Sequence, residues 1–200
     1  DSLDVSVLEK QFKQLELNEL NFSAEQAQTM DLIKQGKNVF ITGGAGVGKS
    51  FLIREAVSYL ENEKRKNVAV LAPTGVAALN VNGQTMHSWF GLGIPRFYKD
   101  FARVFGKQAK ERIRAAEVLV IDEISMVSGE FLDFFELSIT LVRNYEYLLG
   151  NDLVDLPVKI TKELLTSRWD QRNALSILKP FDGLQVIFVG DFYQLPPVEE

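Results

Sequence analysis

The chain has 200 residues, 46% of them hydrophobic, with a net charge of −5 and no cysteine. This length and hydrophobic share suit one domain with a full core, and the lack of cysteine excludes disulfide bonds and thiolate metal sites. No apolar run reaches the roughly 18 residues of a membrane helix, and the acidic N-terminus is unlike a signal peptide. We therefore expect an intracellular protein with no membrane partner.

The chain begins with a polar segment, residues 1–21, that we interpret as an N-terminal arm. Ser23 and Gln26 then form a Ser-x-x-Gln capping box at the start of a predicted helix over 24–35. The apolar residues at 38–42 predict the first strand.

A glycine-rich loop follows this strand at residues 43–50, which read Gly-Gly-Ala-Gly-Val-Gly-Lys-Ser. The loop matches the pattern of a phosphate-binding loop, and the next residues predict a helix to about Leu60. Glycines let backbone N–H groups point at phosphate oxygens, and the helix start adds its unpaired N–H groups. Lys49 brings a positive charge to the phosphates, and Ser50 brings a hydroxyl ligand for Mg²⁺.

This segment, called the phosphate loop below, predicts a binding site for a nucleoside triphosphate such as ATP together with Mg²⁺. The residues that we expect to contact the nucleotide are Gly43, Gly44, Ala45, Gly46, Val47, Gly48, Lys49, Ser50 and Phe51. The alternative is a glycine-rich turn in an ordinary α/β protein.

A second strand is predicted at 68–71, followed by Ala-Pro-Thr-Gly at 72–75 and a short helix at 76–80. Residues 96–114 then hold seven basic and two acidic residues, although the whole chain is acidic. Interleaved aromatic residues could stack on bases while the basic ones track phosphates. The alternative is an amphipathic helix with solvated charges, and the two interpretations do not exclude each other.

A third strand is predicted at 118–121, where the residues are apolar and mostly β-branched. Asp122 and Glu123 follow at its carboxyl end, where open α/β sheets bind ligands. Asp122 can hold Mg²⁺ and Glu123 can orient and deprotonate an attacking water. The alternative is that Asp122 only caps the next helix.

The remaining elements are a helix over 129–149, an insertion within 142–180 and a last strand at 186–189. Strands that alternate with helices predict an α/β fold, a mostly parallel sheet with helices on both faces.

Six short motifs in order carry a family resemblance. They are Phe-Ser-Ala-Glu-Gln at 22–26, the phosphate loop, APTGVAA at 72–78, TMHSWFG at 85–91, IDEISM at 121–126 and GDFYQLPPV at 190–198. In this order they resemble the petite-integration-frequency (PIF-type) DNA helicases, in the 5′-to-3′, RecD-like branch of helicase superfamily one. The resemblance implies an ATP-dependent DNA helicase, and specifically its first RecA-like P-loop NTPase domain.

The resemblance also implies roles for single residues. Gln26 would bind the adenine edge, although this role competes with its place in the capping box. Lys49 and Ser50 would take the triphosphate and Mg²⁺, Asp122 the Mg²⁺ and Glu123 the water. Gln194 would contact the γ-phosphate, and its alternative role is a turn residue before two prolines. The catalytic set is thus Lys49, Glu123 and Gln194.

Single-stranded DNA contacts are implied by the two motifs at 72–78 and 85–91. The residues concerned are Thr74, Gly75, Thr85, His87 and Ser88. His87, the only histidine, could instead be a structural hydrogen-bonding residue. Trp89 and Phe90 could stack on bases, but burial in the core is the more common fate of such residues.

The domain organisation implied by the resemblance is a RecA-like domain over 22–200, with a small DNA-splitting wedge at about 92–115. A second RecA-like domain, expected in the full-length protein, is absent from the sequence, so we expect the chain alone to hydrolyse ATP slowly and not to translocate. Rival functions are a motor subunit of a recombination or exonuclease complex, a small-molecule kinase and a nucleotide-switched binding module.

Overall fold

The computed structural model of the protein describes residues 22–44, 46–93, 98–151, 162–167, 170 and 174–191. The predicted arm at 1–21 lies outside these residues, as do Ala45 and Gln194.

Short apolar runs form a five-stranded sheet in which every pair of neighbouring strands is parallel. The strands are β1 Val39–Thr42, β2 Val68–Ala72, β3 Gln84–Thr85, β4 Val118–Ile121 and β5 Gln185–Gly190. Their order across the sheet is β1-β5-β4-β2-β3. Because the strands are parallel, all their carboxyl ends lie at one edge of the sheet.

Helices connect these strands. The α-helices are α1 Ala24–Lys34, α2 Lys49–Ser58, α3 Gly75–Asn80, α4 Met86–Phe90, α5 Lys107–Ala115, α6 Gly129–Arg143, α7 Tyr145–Gly150 and α8 Lys162–Ser167. A π-helical turn extends α2 over Tyr59–Glu63, and 3₁₀ turns are found at Tyr98–Phe105, Ile124–Met126, Ala174–Ile177 and Pro180–Gly183.

Two hydrophobic clusters cover the two faces of the sheet, which confirms the predicted arrangement. Val118 and Val120 of β4 point to the cluster that contains α1 and α2. Leu119 and Ile121 point to the other face, which α4, α5 and α6 cover. The strict alternation follows from the two-residue period of a strand.

The predicted helix over 129–149 is interrupted at Asn144. The side-chain amide of Asn144 donates to the carbonyl of Thr140 at 2.9 Å and to Asp182 Oδ1 at 2.9 Å. α6 ends at Arg143, and α7 begins at Tyr145, directly after Asn144.

Arg143 joins three parts of the fold. Its guanidinium donates to the carbonyls of Ile113, Arg114 and Ala116 at the end of α5, at 2.9–3.1 Å. The same group forms a 2.8 Å ion pair with Asp182, in the turn that leads into β5. Arg143 thereby fixes α5 and the start of β5 to α6.

The predicted insertion at 142–180 stays a prediction, but its described parts pack on the main core. Leu148, Leu165 and Leu175 are buried in the cluster under α6. Within the described residues, no helix combines the length and the hydrophobicity that crossing a lipid bilayer requires.

Candidate nucleotide and DNA site

The phosphate loop connects β1 to α2, as the sequence predicts. Gly48 precedes α2 with φ +85°, and a Cβ there would lie 2.6 Å from Gln26 Nε2. Added Cβ atoms at Gly44 and Gly46 would meet nothing within 4 Å. The space beside these two glycines is therefore open, which leaves room for a phosphate chain.

Lys49 begins α2 and folds back onto the loop. Its ammonium group donates to the carbonyl oxygens of Gly43 and Gly44, the latter at 2.8 Å. The charge is thereby held against the loop backbone, and Ser50 beside it is exposed. Both side chains are available to a ligand placed in the loop.

The acidic pair follows β4 directly. Asp122 is buried, and its Oδ1 accepts a 2.9 Å hydrogen bond from the Glu123 N–H. Glu123 has φ 51° and ψ 40°, a left-handed conformation that is uncommon for a residue with a side chain. Such local strain is concentrated at functional sites. The alternative that Asp122 only caps the next helix is represented by this single hydrogen bond, which goes to the adjacent residue.

The phosphate loop and the acidic pair lie at the same edge of the sheet. β5 separates β1 from β4, with Gly190 paired to Thr42 and Phe188 paired to Ile121. Two strand spacings place the two strand ends about 10 Å apart.

The charge of Lys49 affects the titration of both residues of the acidic pair. Burial raises the pKa of Asp122, while the Glu123 N–H and then the Lys49 charge oppose this rise. The pKa of Glu123 is also raised, first by burial and then by the Asp122 charge, and Lys49 again opposes the rise. Lys49 is therefore near enough to act on both carboxylates.

Asp191 is a site residue to which the sequence analysis gave no role. It follows β5, is buried, and its charge raises the pKa of Glu123. The signal in the sequence was the Gly-Asp dipeptide directly after the last predicted strand, because open α/β sheets bind ligands at the carboxyl ends of their strands. Gln194, three residues further on, lies outside the described residues.

Gln26 holds its capping-box position and also contacts the phosphate loop. Its Oε1 accepts from the Ser23 N–H at 2.9 Å, and its own N–H donates to Ser23 Oγ at 3.2 Å. Its Nε2 donates to the Val47 carbonyl at 3.3 Å. The capping box is thus confirmed, and the adenine role stays a prediction for a side chain that already borders the loop.

Two further predicted nucleotide residues flank this contact. Val47 is 56% exposed at the rim of the loop. The ring of Phe51 lies 5.5 Å from the ring of Phe22, which precedes α1. The start of α1 and the start of α2 are thereby held together.

The predicted DNA residues lie at the carboxyl ends of β2 and β3. Thr74 caps α3 by accepting from the Ala77 N–H at 3.2 Å, and Thr85 caps α4 by accepting from the Ser88 N–H at 3.1 Å. β2 and β3 are neighbours, with Ala72 paired to Thr85. The two capping turns therefore lie side by side, at the sheet edge that also carries the phosphate loop.

The other residues of these motifs divide between surface and core. Gly75 and Ser88 are exposed, and the half-buried His87 ring stacks on Phe131 at 4.8 Å. Trp89 and Phe90 are buried and pack on Phe135 in the core. These two aromatic rings therefore do not offer a face to a base in this structure.

The basic segment at 96–114 is built into the fold through its arginines. Arg103 donates to the Leu92 carbonyl at 2.9 Å, and Arg112 donates to the Trp89 carbonyl at 2.9 Å. Ile113 is fully buried. These contacts favour the amphipathic interpretation for α5, while the basic side chains that remain exposed keep the electrostatic one open.

A cavity of about 750 Å³ lies elsewhere, between α2, β2 and α5. Trp89 and Arg112 line it, but none of the residues predicted to contact the nucleotide or Mg²⁺ does. The candidate site is identified by charge, glycine geometry and strand ends rather than by an enclosed volume.

Comparisons with known proteins agree with this geometry. The family model for PIF1-like helicases matches residues 21–200. The chain is similar to the ATP-dependent DNA helicase Pif1 of Bdellovibrio bacteriovorus, with 38% identity over 185 residues. This alignment covers 91% of the chain but 34% of the relative, so the chain spans about a third of that protein's length.

Solved structures give the same result for the fold. The Pif1 helicase from Candida albicans matches with 35% identity and a TM-score of 0.66, over 89% of this chain and 34% of that one. The Pif1 helicase from Bacteroides in complex with ADP-AlF3 and ssDNA matches with 31% identity and a TM-score of 0.57, over 89% and 34%. These likenesses confirm the predicted RecA-like α/β fold.

Proposed function

This chain belongs to the PIF1-like helicase family, and on that premise we propose that it is the ATP-binding and single-strand DNA-binding motor domain of an ATP-dependent DNA helicase. The observation that carries the proposal is the common edge of the sheet at which the phosphate loop follows β1 and the acidic pair follows β4, with β5 between these strands. It brings a phosphate-binding lysine, a metal-binding carboxylate and a general base to one edge of the sheet.

The residues suit a magnesium-triphosphate. Among the described residues, no group of three or more His, Asp and Glu side chains could hold a metal by itself. Mg²⁺ usually takes one or two protein ligands together with phosphate oxygens and water. Ser50 and Asp122 would hold it, and when bound it would neutralise charge on the phosphates.

The chain's own groups then have distinct roles. The loop N–H groups and Lys49 bind the phosphates, and Lys49 exchanges its loop carbonyls for phosphate oxygens. Glu123 orients the attacking water and accepts its proton, which its raised pKa favours. Gln194 and Gln26 are proposed to contact the γ-phosphate and the adenine.

Single-stranded DNA is the proposed partner of the two capping turns. Thr74, Gly75, Thr85, His87 and Ser88 offer hydroxyl, ring and backbone groups on the strand-end edge. Contacts of this kind fix DNA through its backbone without reading sequence. A Pif1 relative solved with ADP-AlF3 and ssDNA supports this pairing of ligands. The 5′-to-3′ direction and a second RecA-like domain in the same polypeptide are proposed on family grounds.

Replacing Glu123 by Gln tests the catalytic assignment. We expect ATP affinity within about twofold of wild type and a hydrolysis rate lower by about 10²–10⁴-fold, because the base is lost while the phosphate contacts stay. Equilibrium binding of a fluorescent ATP analogue and single-turnover hydrolysis measure the two quantities.

The matched control is Glu61→Gln, which removes an exposed carboxylate after α2 and should change neither quantity. Wild-type-like hydrolysis by Glu123→Gln would exclude Glu123 as the base. Both variants are assayed in the full-length gene product, in which a nucleotide-switched module would bind ATP but show little hydrolysis even in the wild type.

A further inference from the structure

Gly190 is the last residue of β5 and lies between the two parts of the candidate site, the phosphate loop and the acidic pair. On one side it pairs with Thr42, the residue before the phosphate loop. On the other side a Cβ placed on it would lie 2.9 Å from Ile124 Cγ2, 3.2 Å from the Ser125 nitrogen and 3.4 Å from the Ile124 nitrogen. Its backbone therefore touches the turn that follows Glu123, with no side chain between.

Neither neighbour can easily move away. Ile124 is buried, and its β-branched side chain has few rotamers to choose from. The other two contacts are backbone atoms, and Ser125 is also buried. The strand cannot retreat in the opposite direction, because its ladder with β1 holds it there.

Glu123 would therefore absorb any displacement. It immediately precedes the contacted residues and already has the left-handed conformation with φ 51°. A shift of Ile124 and Ser125 rotates the Glu123 backbone and re-aims its carboxylate. A misplacement of about 1 Å at a catalytic group can lower a rate about 10²-fold.

We propose that Gly190 is a positioning residue for hydrolysis: its missing side chain sets the distance between the phosphate loop and the Glu123 carboxylate. The inference rests on the proposed function, because it concerns the distance between two parts of the proposed ATP site. Gly190 itself does not touch the nucleotide in this proposal.

The test is a Gly190→Ala, Ile124→Ala double-mutant cycle in the full-length gene product. We expect Gly190→Ala to lower kcat for ATP roughly ten- to hundredfold while the Kd for an ATP analogue stays within about twofold. Ile124→Ala removes Cγ2, the atom of the closest contact, so the double variant should recover part of the lost kcat. The cycle isolates this coupling from the effects of each single change.

The control is Gly129→Ala, at the start of α6, where an added Cβ meets nothing within 4 Å. It should leave kcat and Kd unchanged. If the wild type neither binds nor hydrolyses ATP, the proposed function is wrong. Two results with an active wild type would show that the positioning role is wrong, without affecting the proposed function. In the first, Gly190→Ala keeps the wild-type kcat. In the second, Gly190→Ala lowers kcat, nucleotide affinity and thermal stability together, and the double variant recovers none of the loss.

Discussion

Gln26 uses both ends of its side-chain amide in this structure. The oxygen accepts from the Ser23 N–H, and the nitrogen donates to the Val47 carbonyl. An adenine edge needs the same donor and acceptor. Because each end of the amide can form two hydrogen bonds, Gln26 can bind the base and keep the capping box.

We predict that Gln26→Glu separates the two roles. Glutamate also completes a capping box, so thermal stability should stay within about 2 °C of wild type. The amide donor is lost, so the preference for ATP over GTP should fall several-fold. Competition of ATP and GTP for a labelled nucleotide measures this ratio, which is insensitive to the added charge near the phosphates.

Ser23→Ala is the complementary control. It should lower the free energy of unfolding by about 1 kcal/mol and keep the nucleotide preference. An unchanged ATP-to-GTP ratio in Gln26→Glu would limit Gln26 to capping the helix.

The buried, ionised side chain of Asp122 lowers the stability of the nucleotide-free, metal-free protein. Burial raises its pKa above the ordinary value, so the folded state holds its proton more tightly than the unfolded state does. Stability therefore falls as the pH rises from the ordinary pKa near 4 through the raised pKa, and the loss persists at higher pH.

We predict that Asp122→Asn raises the Tm of the nucleotide-free protein at pH 7, because the buried charge is removed and an amide oxygen can still accept from Glu123. Each kcal/mol gained corresponds to about 2–4 °C for a domain of this size. The difference should disappear as the pH is lowered towards about 4, and the variant should lose its Mg²⁺-dependent ATP binding. A lower Tm than wild type at pH 7 would show that Lys49 and the Glu123 N–H outweigh burial.

For helix α5, the sequence and the structure suggest different roles for the basic residues. Its sequence suggests a basic surface, but Arg112 donates to the Trp89 carbonyl and, at 3.4 Å, to the Ser88 carbonyl. These bonds occupy carbonyl groups near the carboxyl end of α4. Helix α4 contains two of the predicted DNA residues. Lys107, at the start of α5, is exposed.

We predict that Arg112→Ala lowers the free energy of unfolding by about 1–3 kcal/mol, because two backbone carbonyls lose a charged donor. Lys107→Ala, the matched control, should change it by less than about 0.5 kcal/mol. Urea unfolding followed by circular dichroism gives both values. Unchanged stability in Arg112→Ala, with weaker single-strand binding and a shallower salt dependence, would instead support the phosphate-tracking interpretation.

The sequence predicted those elements whose residue pattern can be recognised over a few consecutive residues. β4 is a continuous apolar run of mostly β-branched residues, and the sequence predicted its bounds and the acidic pair after it. β3 was missed, because its two residues are polar and contain no alternation to recognise. The roles of Arg112 and Arg143 could not be read from the sequence, because their acceptors are carbonyls more than 20 residues away.

At the scale of the whole molecule, the site exists only because three strands end together. The phosphate loop, the acidic pair and Asp191 follow β1, β4 and β5, and the capping turns follow β2 and β3. The sequence predicted the parallel sheet, but not the strand order that puts β5 between the other two. Such an order depends on packing across the whole chain rather than on any local pattern.

We predict that these 200 residues alone bind ATP weakly, hydrolyse it slowly and do not unwind DNA. We propose, on family grounds, that a second RecA-like domain supplies arginines to the γ-phosphate, and such arginines are worth about 10³–10⁵ in rate. A forked-duplex unwinding assay of the chain, with the full-length gene product as the positive control, checks this. ATP-driven unwinding by the chain alone would contradict it.

The outer position of β1 has a consequence for biosynthesis. Among the described strands β5 is its only neighbour, and the Val186 N–H that binds Asn38 Oδ1 comes from 148 residues further along the chain. On the ribosome, β1 emerges long before this partner, and contacts between such distant residues form late. The nascent protein therefore carries its phosphate loop on a strand that lacks its β5 partner until β5 has been translated.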